Sequence, residues 1–88
     1  MPDPIRDYII TGHAAFEIQR RGITERQIDD VLSAPQQSID VRDGRIVLQS
    51  KVRSAQKEFL IRVFVDIDRS PNEVVTAYKT SKISKYWR

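Results

Sequence analysis

Three groups of side chains in this sequence have the types and spacing to do chemistry. The first surrounds the single histidine: His13, Glu17 and Arg20 fall at i, i+4 and i+7, with Arg21 beside them. On a helix that spacing places them along one side. Imidazole is the side chain that changes charge closest to neutral pH, so His13 is the natural candidate for proton transfer. Glu17, one turn later, could pair with it or raise its pKa, and Arg20 or Arg21 could supply positive charge. The plainer alternative is a solvated helix surface with no chemical role.

The second group centres on Arg62, which interrupts the apolar run Phe59-Leu60-Ile61-Arg62-Val63-Phe64-Val65. An arginine in such a strand lies at a sheet edge, pairs with Asp or Glu, or clamps an anion. Lys51, on the preceding predicted strand, could converge on the same face. The third group is the C-terminal stretch from Tyr78 to Arg88. Lys79, Lys82, Lys85 and Arg88 recur every third position, with Tyr78, Tyr86 and Trp87 among them and no acid. Ammonium groups neutralise phosphates and aromatic faces stack on unpaired bases, so the stretch suits RNA. The competing reading has Tyr86 and Trp87 docking the C-terminus onto the core, and for Trp87 it is preferred, because tryptophan is usually at least partly buried.

Composition narrows the classes. With 88 residues, 40% hydrophobic and 31% charged, the chain has the makeup of one folded domain spanning 1–88. It has no cysteine, which excludes disulfides and thiolate zinc sites, and one histidine without a nearby carboxylate cluster, which argues against a metal. No cofactor motif is present. No apolar run approaches the ~20 residues of a membrane helix, and the N-terminal stretch is too acidic for a secretory signal, so a cytoplasmic protein is expected. Charge is unevenly spread: residues 1–43 carry five Lys/Arg against eight Asp/Glu, and residues 44–88 carry ten against four. The basic half points to a polyanion or an acidic protein partner, or simply to a solvated sheet face.

The elements that must position these groups follow from periodicity. Thr11-Gly12 caps a helix from about His13, with Ala14, Ala15 and Ile18 on its apolar side and Gly22 at its end. Thr24 and Gln27 form a capping-box pattern opening a second helix, whose stripe is Ile28, Val31 and Leu32 and whose stop is Pro35. From Ser38 the period becomes 2. Asp43-Gly44 marks a hairpin, Arg45 to Val52 is its return strand, and residues 53–57 read as a loop. Glu58 to Asp66, apolar on both faces, is a central strand, and Glu73 to Lys79 is the last. The prediction is α+β: two N-terminal helices packed on a four-stranded antiparallel meander sheet.

The opening His13-Ala14-Ala15-Phe16-Glu17-Ile18-Gln19-Arg20-Arg21-Gly22-Ile23-Thr24 resembles that of a large bacterial family of small domains of unknown function. The close, Val75-Thr76-Ala77-Tyr78-Lys79-Thr80-Ser81-Lys82 with Lys85-Tyr86-Trp87, looks like that family too. The family is placed near the RelE/ParE-like and BrnT-like toxins, in the barnase–EndoU–colicin–RelE group of metal-independent ribonuclease folds. The resemblance implies helices on a four-stranded antiparallel sheet and RNA cleavage in a toxin–antitoxin setting, with an acidic antitoxin as protein partner. One departure stands out: many relatives carry arginine four residues after the histidine, where this chain has Glu17. Either Arg20 or Arg21 then holds the anion, or Glu17 and His13 form an acid–base couple.

The reading that results is a metal-independent endoribonuclease acting through the 2′-OH. It assigns catalysis to His13, Glu17, Arg62 and Tyr78, and RNA binding to Arg20, Arg21, Lys51, Lys79, Thr80 and Lys82. It expects His13→Ala to abolish cleavage. The rival is a non-catalytic RNA- or protein-binding module, favoured by Glu17 and by the lack of a catalytic cluster in sequence. A homodimer scaffold ranks third.

Overall fold

The computed structural model describes residues 2–88. Its elements run β1 (Tyr8–Ile10), α1 (Gly12–Arg20), α2 (Glu25–Ser33), β2 (Gln37–Arg42), β3 (Arg45–Ser54), β4 (Lys57–Asp66), β5 (Asn72–Thr80) and α3 (Ile83–Tyr86). The class is α+β, as expected. The sheet, however, has five strands in the order β1-β5-β4-β3-β2 and is mixed rather than antiparallel. β2 to β5 form the expected meander, with β4 in the middle, while β1 adds a parallel edge to β5 through Tyr8, Ile9 and Ile10. Three residues show no period, so periodicity could not reveal β1.

The local signals explain the rest. The Thr11 hydroxyl accepts from the Ala14 amide and caps α1, and Gly22 takes the left-handed φ of +72° that releases the chain from it. Thr24 and Gln27 close a reciprocal capping box on α2. Gly44, at φ +79°, turns the β2–β3 hairpin. The predicted loop at 53–57 is a correction. β3 and β4 pair out to Ser54↔Lys57 and turn through Ala55 and Gln56, at φ +51° and +67°. Such a turn normally uses Asn or Gly, and without them it leaves no mark in the sequence.

α1 and α2 bury Ala14, Ile18, Ile28, Val31 and Leu32 against one face of the sheet, on Leu48, Ile61, Val63, Val65, Val74 and Ala77. Because side chains alternate along a strand, the residues between these point to the opposite face, which α1 and α2 leave uncovered. Among the described residues no helix is long and apolar enough to cross a membrane.

One end of the sheet is tied by Arg45, whose Nε and Nη2 donate to Asp66 at 2.6 and 3.1 Å. Those hydrogen bonds, against a smaller opposing effect of burial, hold the Asp66 carboxyl below its ordinary value. A lowered folded value means that the pair stabilises the fold above the ordinary aspartate range and loses that contribution as pH falls through it. Asp66→Asn should therefore cost about 1 kcal/mol at neutral pH, with the solvent on Arg45 allowed for. In urea titrations the gap to the parent protein should shrink progressively below about pH 4.

Candidate functional site

Strand register builds the site on the sheet face opposite α1 and α2. Gln37, Gln49, Arg62 and Tyr78 form one row across β2, β3, β4 and β5. Lys51, Leu60 and Thr80 form the next row, and Ile39, Val47, Phe64 and Thr76 the row on the other side. α3 folds back over the first two rows, placing Tyr86 and Trp87 on them.

Arg62 is the centre. It lies on the middle strand, half-buried, so the sheet-edge reading is excluded. Nor does it have a carboxylate: the ion pairs among the described residues involve His13, Arg20, Arg21, Arg45 and Arg69. Its partners are neutral. Nε donates to Gln49 Oε1 at 2.8 Å and Nη1 to the Tyr78 hydroxyl at 2.6 Å. Three rings surround the guanidinium, with centroids at 4.4 Å (Tyr86), 5.4 Å (Phe64) and 5.7 Å (Tyr78). Nη2 donates to no protein group, and no buried polar atom among the described residues is left unpaired, so that nitrogen meets solvent. Rings are a weak substitute for a counter-ion, and a partly desolvated charge with a free donor is what an anion site requires.

Gln49 holds this arrangement. It is fully buried and uses both ends of its amide. Oε1 accepts from Arg62, while Nε2 donates to Gln37 Oε1 at 2.8 Å and to the Tyr86 carbonyl at 3.1 Å. Gln37 in turn binds the backbone of Arg88 through both ends of its amide. The two glutamines thus fix β2, β3, β4 and the C-terminal helix to one another. Lys51 Nζ sits 4.1 Å from the Trp87 ring centroid, with no carboxylate paired to it.

The two tyrosines differ. Burial raises the Tyr78 pKa and outweighs the opposing hydrogen bond from Arg62. Tyr86 moves the other way: the adjacent Tyr78 hydroxyl lowers it, helped by the positive charge of Lys85 and Arg62.

Apart from Thr80, the other predicted residues fall elsewhere. His13, Glu17, Arg20 and Arg21 do share one side of α1, and Glu17 is their hub. It lies 3.8 Å from His13 Nε2 and 3.5 Å from Arg21 Nη2, and it is hydrogen-bonded by Arg20. That bond holds Glu17 below its ordinary value. His13 is mostly exposed and contacts neither Arg62 nor Tyr78. Lys79 occupies the opposite face of β5 from Tyr78, with Nζ 3.4 Å from the Gly22 carbonyl at the end of α1. The Thr80 hydroxyl accepts from the Lys82 amide and shapes the turn into α3, and the Lys82 side chain is exposed. Sequence reasoning missed Gln37 and Gln49. It also gave Tyr86 only an anchoring role, although Gln49 interrupting the apolar Ile46-Val47-Leu48 strand was a readable signal.

No curated protein and no solved structure matches the chain. Residues 10–79, which contain Gln37, Gln49, Lys51, Arg62 and Tyr78, match a family described as a domain of unknown function. The chain belongs to that family, DUF4258.

Proposed function

We propose that the sheet face opposite α1 and α2 binds RNA and that the protein is an endoribonuclease cleaving by 2′-OH transesterification. The observation that carries this is Arg62: a half-buried guanidinium with no carboxylate, one free nitrogen, and the edge-to-face rings of Tyr78 and Tyr86 beside it. In this reaction the ribose 2′-oxygen bonds to the adjacent phosphorus as the bond to the 5′-oxygen breaks. The products are a 2′,3′-cyclic phosphate and a 5′-hydroxyl, and no water or metal is consumed. Tyr86 takes the 2′-OH proton, and Tyr78, whose hydroxyl accepts from Arg62, gives one to the leaving oxygen. Arg62 Nη2 and Lys51 stabilise the charge that builds on phosphorus. His13 lies outside this arrangement, so proton transfer falls to the tyrosines. The basic second half of the chain also suits an acidic protein partner, which in a toxin–antitoxin pair would be the antitoxin.

A second reading is favoured by α3: the Tyr86 and Trp87 rings already cover Arg62 and Lys51, as they would in a module that binds without cutting. Incubating the purified protein with total RNA in EDTA separates the two. Fragmentation is the expected result, and salt-sensitive binding without fragments would favour the module.

A further inference from the structure

Arg21 lies near the site without entering it. β1 pairs with β5 only as far as Val74, where the Thr11 amide also donates to the Val74 carbonyl. Beyond that point the outer edge of β5 has no partner strand, and the register against β4 shifts past Val75 before Tyr78 is reached. This part of the sheet is weakly supported, since an unpaired edge next to an irregularity has few bonds to fix its twist. Arg21 occupies that edge. Its Nη1 donates to the Ala77 carbonyl at 2.8 Å and the Thr76 hydroxyl at 3.3 Å, while Nη2 is held 3.5 Å from Glu17.

The bonded residues are the two that precede Tyr78. Ala77 is fully buried under α1, and Thr76 lies in the same row as Phe64, whose ring stacks on Tyr78 at 6.0 Å. On the other flank of Tyr78, Lys79 reaches the Gly22 carbonyl. Both neighbours of Tyr78 are therefore tied to the end of α1, while its own side chain points to the opposite face of the sheet. The guanidinium of Arg21 is committed to these bonds, and its side chain is less exposed than that of Arg20, 36% against 59%.

We infer that Arg21 is a positioning residue: its guanidinium stands in for the missing outer strand of β5 and sets the height and angle of Tyr78 against Arg62. The inference rests on the reading of Tyr78 and Arg62 as the site. It also gives Glu17 a role, that of aligning Arg21.

The test is Arg21→Met, with kcat and KM measured separately on single-stranded RNA and tyrosine ionisation followed by ultraviolet absorbance, using Tyr78→Phe to identify the Tyr78 signal. Misplacing a reacting group costs turnover rather than binding, so kcat should fall about tenfold or more with KM nearly unchanged. The Tyr78 titration should shift, and Arg21→Lys should recover part of both. A raised KM with a shallower salt dependence and an unchanged Tyr78 titration would make Arg21 a phosphate contact and overturn the inference. Unchanged kcat, KM and titration would overturn it as well. If Arg21→Met does not fold, Thr76→Val removes one of the two acceptors and is read the same way. If the parent protein cuts no RNA, the ribonuclease reading fails, and the Tyr78 titration alone still decides the positioning role.

Discussion

Replacing Arg62 with methionine should lower RNA cleavage by about 10²–10³-fold, the usual cost of losing one preorganised donor to a charged transition state. Methionine fills much of the arginine stem's volume but carries no charge and no donor, so Phe64 and Tyr86 keep an apolar neighbour. The loss divides into two parts. The bond to Tyr78 disappears, which frees the hydroxyl to rotate. The free Nη2 disappears, which removes the contact to the phosphate oxygen. Arg62→Lys separates these parts: an ammonium restores the charge but cannot serve Gln49, Tyr78 and a ligand together. It should recover RNA affinity more than turnover. The fold should persist in both variants by circular dichroism, because the core of the other face does not involve Arg62. A cleavage rate within threefold of the parent in Arg62→Met would remove the site from this face.

Gln49→Leu should have the largest effect on stability. The buried amide serves three partners on β2, β4 and α3, and leucine of similar size would leave Arg62 Nε and the Tyr86 carbonyl unpaired and Gln37 Oε1 with Arg88 alone. Each unsatisfied buried group costs about 1–3 kcal/mol, reduced where water reaches it, so a total of about 2–3 kcal/mol is expected. In a domain of this size that corresponds to a Tm lower by roughly 10 °C or more in a thermal scan. Activity should fall as well, since Arg62 loses its Nε acceptor and α3 one of its ties. Gln49→Glu is the informative contrast. It keeps an acceptor for Arg62 but gives it a counter-charge, so RNA affinity should drop even where the fold holds. Equal RNA binding by the parent and Gln49→Glu would show that Arg62 does not meet the anion.

How much of this could be read in the sequence depends on whether the deciding interactions are local. The Thr24–Gln27 capping box, Gly22 and Asp43-Gly44 each specify a backbone geometry within a few residues, and each is found in place. β4 was legible as the central strand because it is apolar on both faces. β1 was not, since a three-residue strand is created by pairing with β5, a contact more than sixty residues away. The site follows the same rule. Arg62 stood out as a charge in an apolar strand, but its lack of a carboxylate partner depends on four strands and α3. Lys79 could have been separated from Tyr78 by alternation alone, since neighbouring residues of a strand face opposite sides. The approach of Tyr86 to Arg62 could not, because a four-residue helix gives no periodic signal.

On this reading the face carrying Arg62 cuts RNA through the ribose 2′-OH. The most direct measurement is mass spectrometry of a defined single-stranded oligoribonucleotide incubated in EDTA with the protein and, in parallel, with Arg62→Met. The account predicts products ending in 2′,3′-cyclic phosphate and 5′-hydroxyl, no cut wherever a 2′-deoxy residue is substituted 5′ to the scissile phosphate, and almost none with the variant. Intact RNA, cutting at deoxy-substituted positions, or equal cutting by Arg62→Met would contradict it.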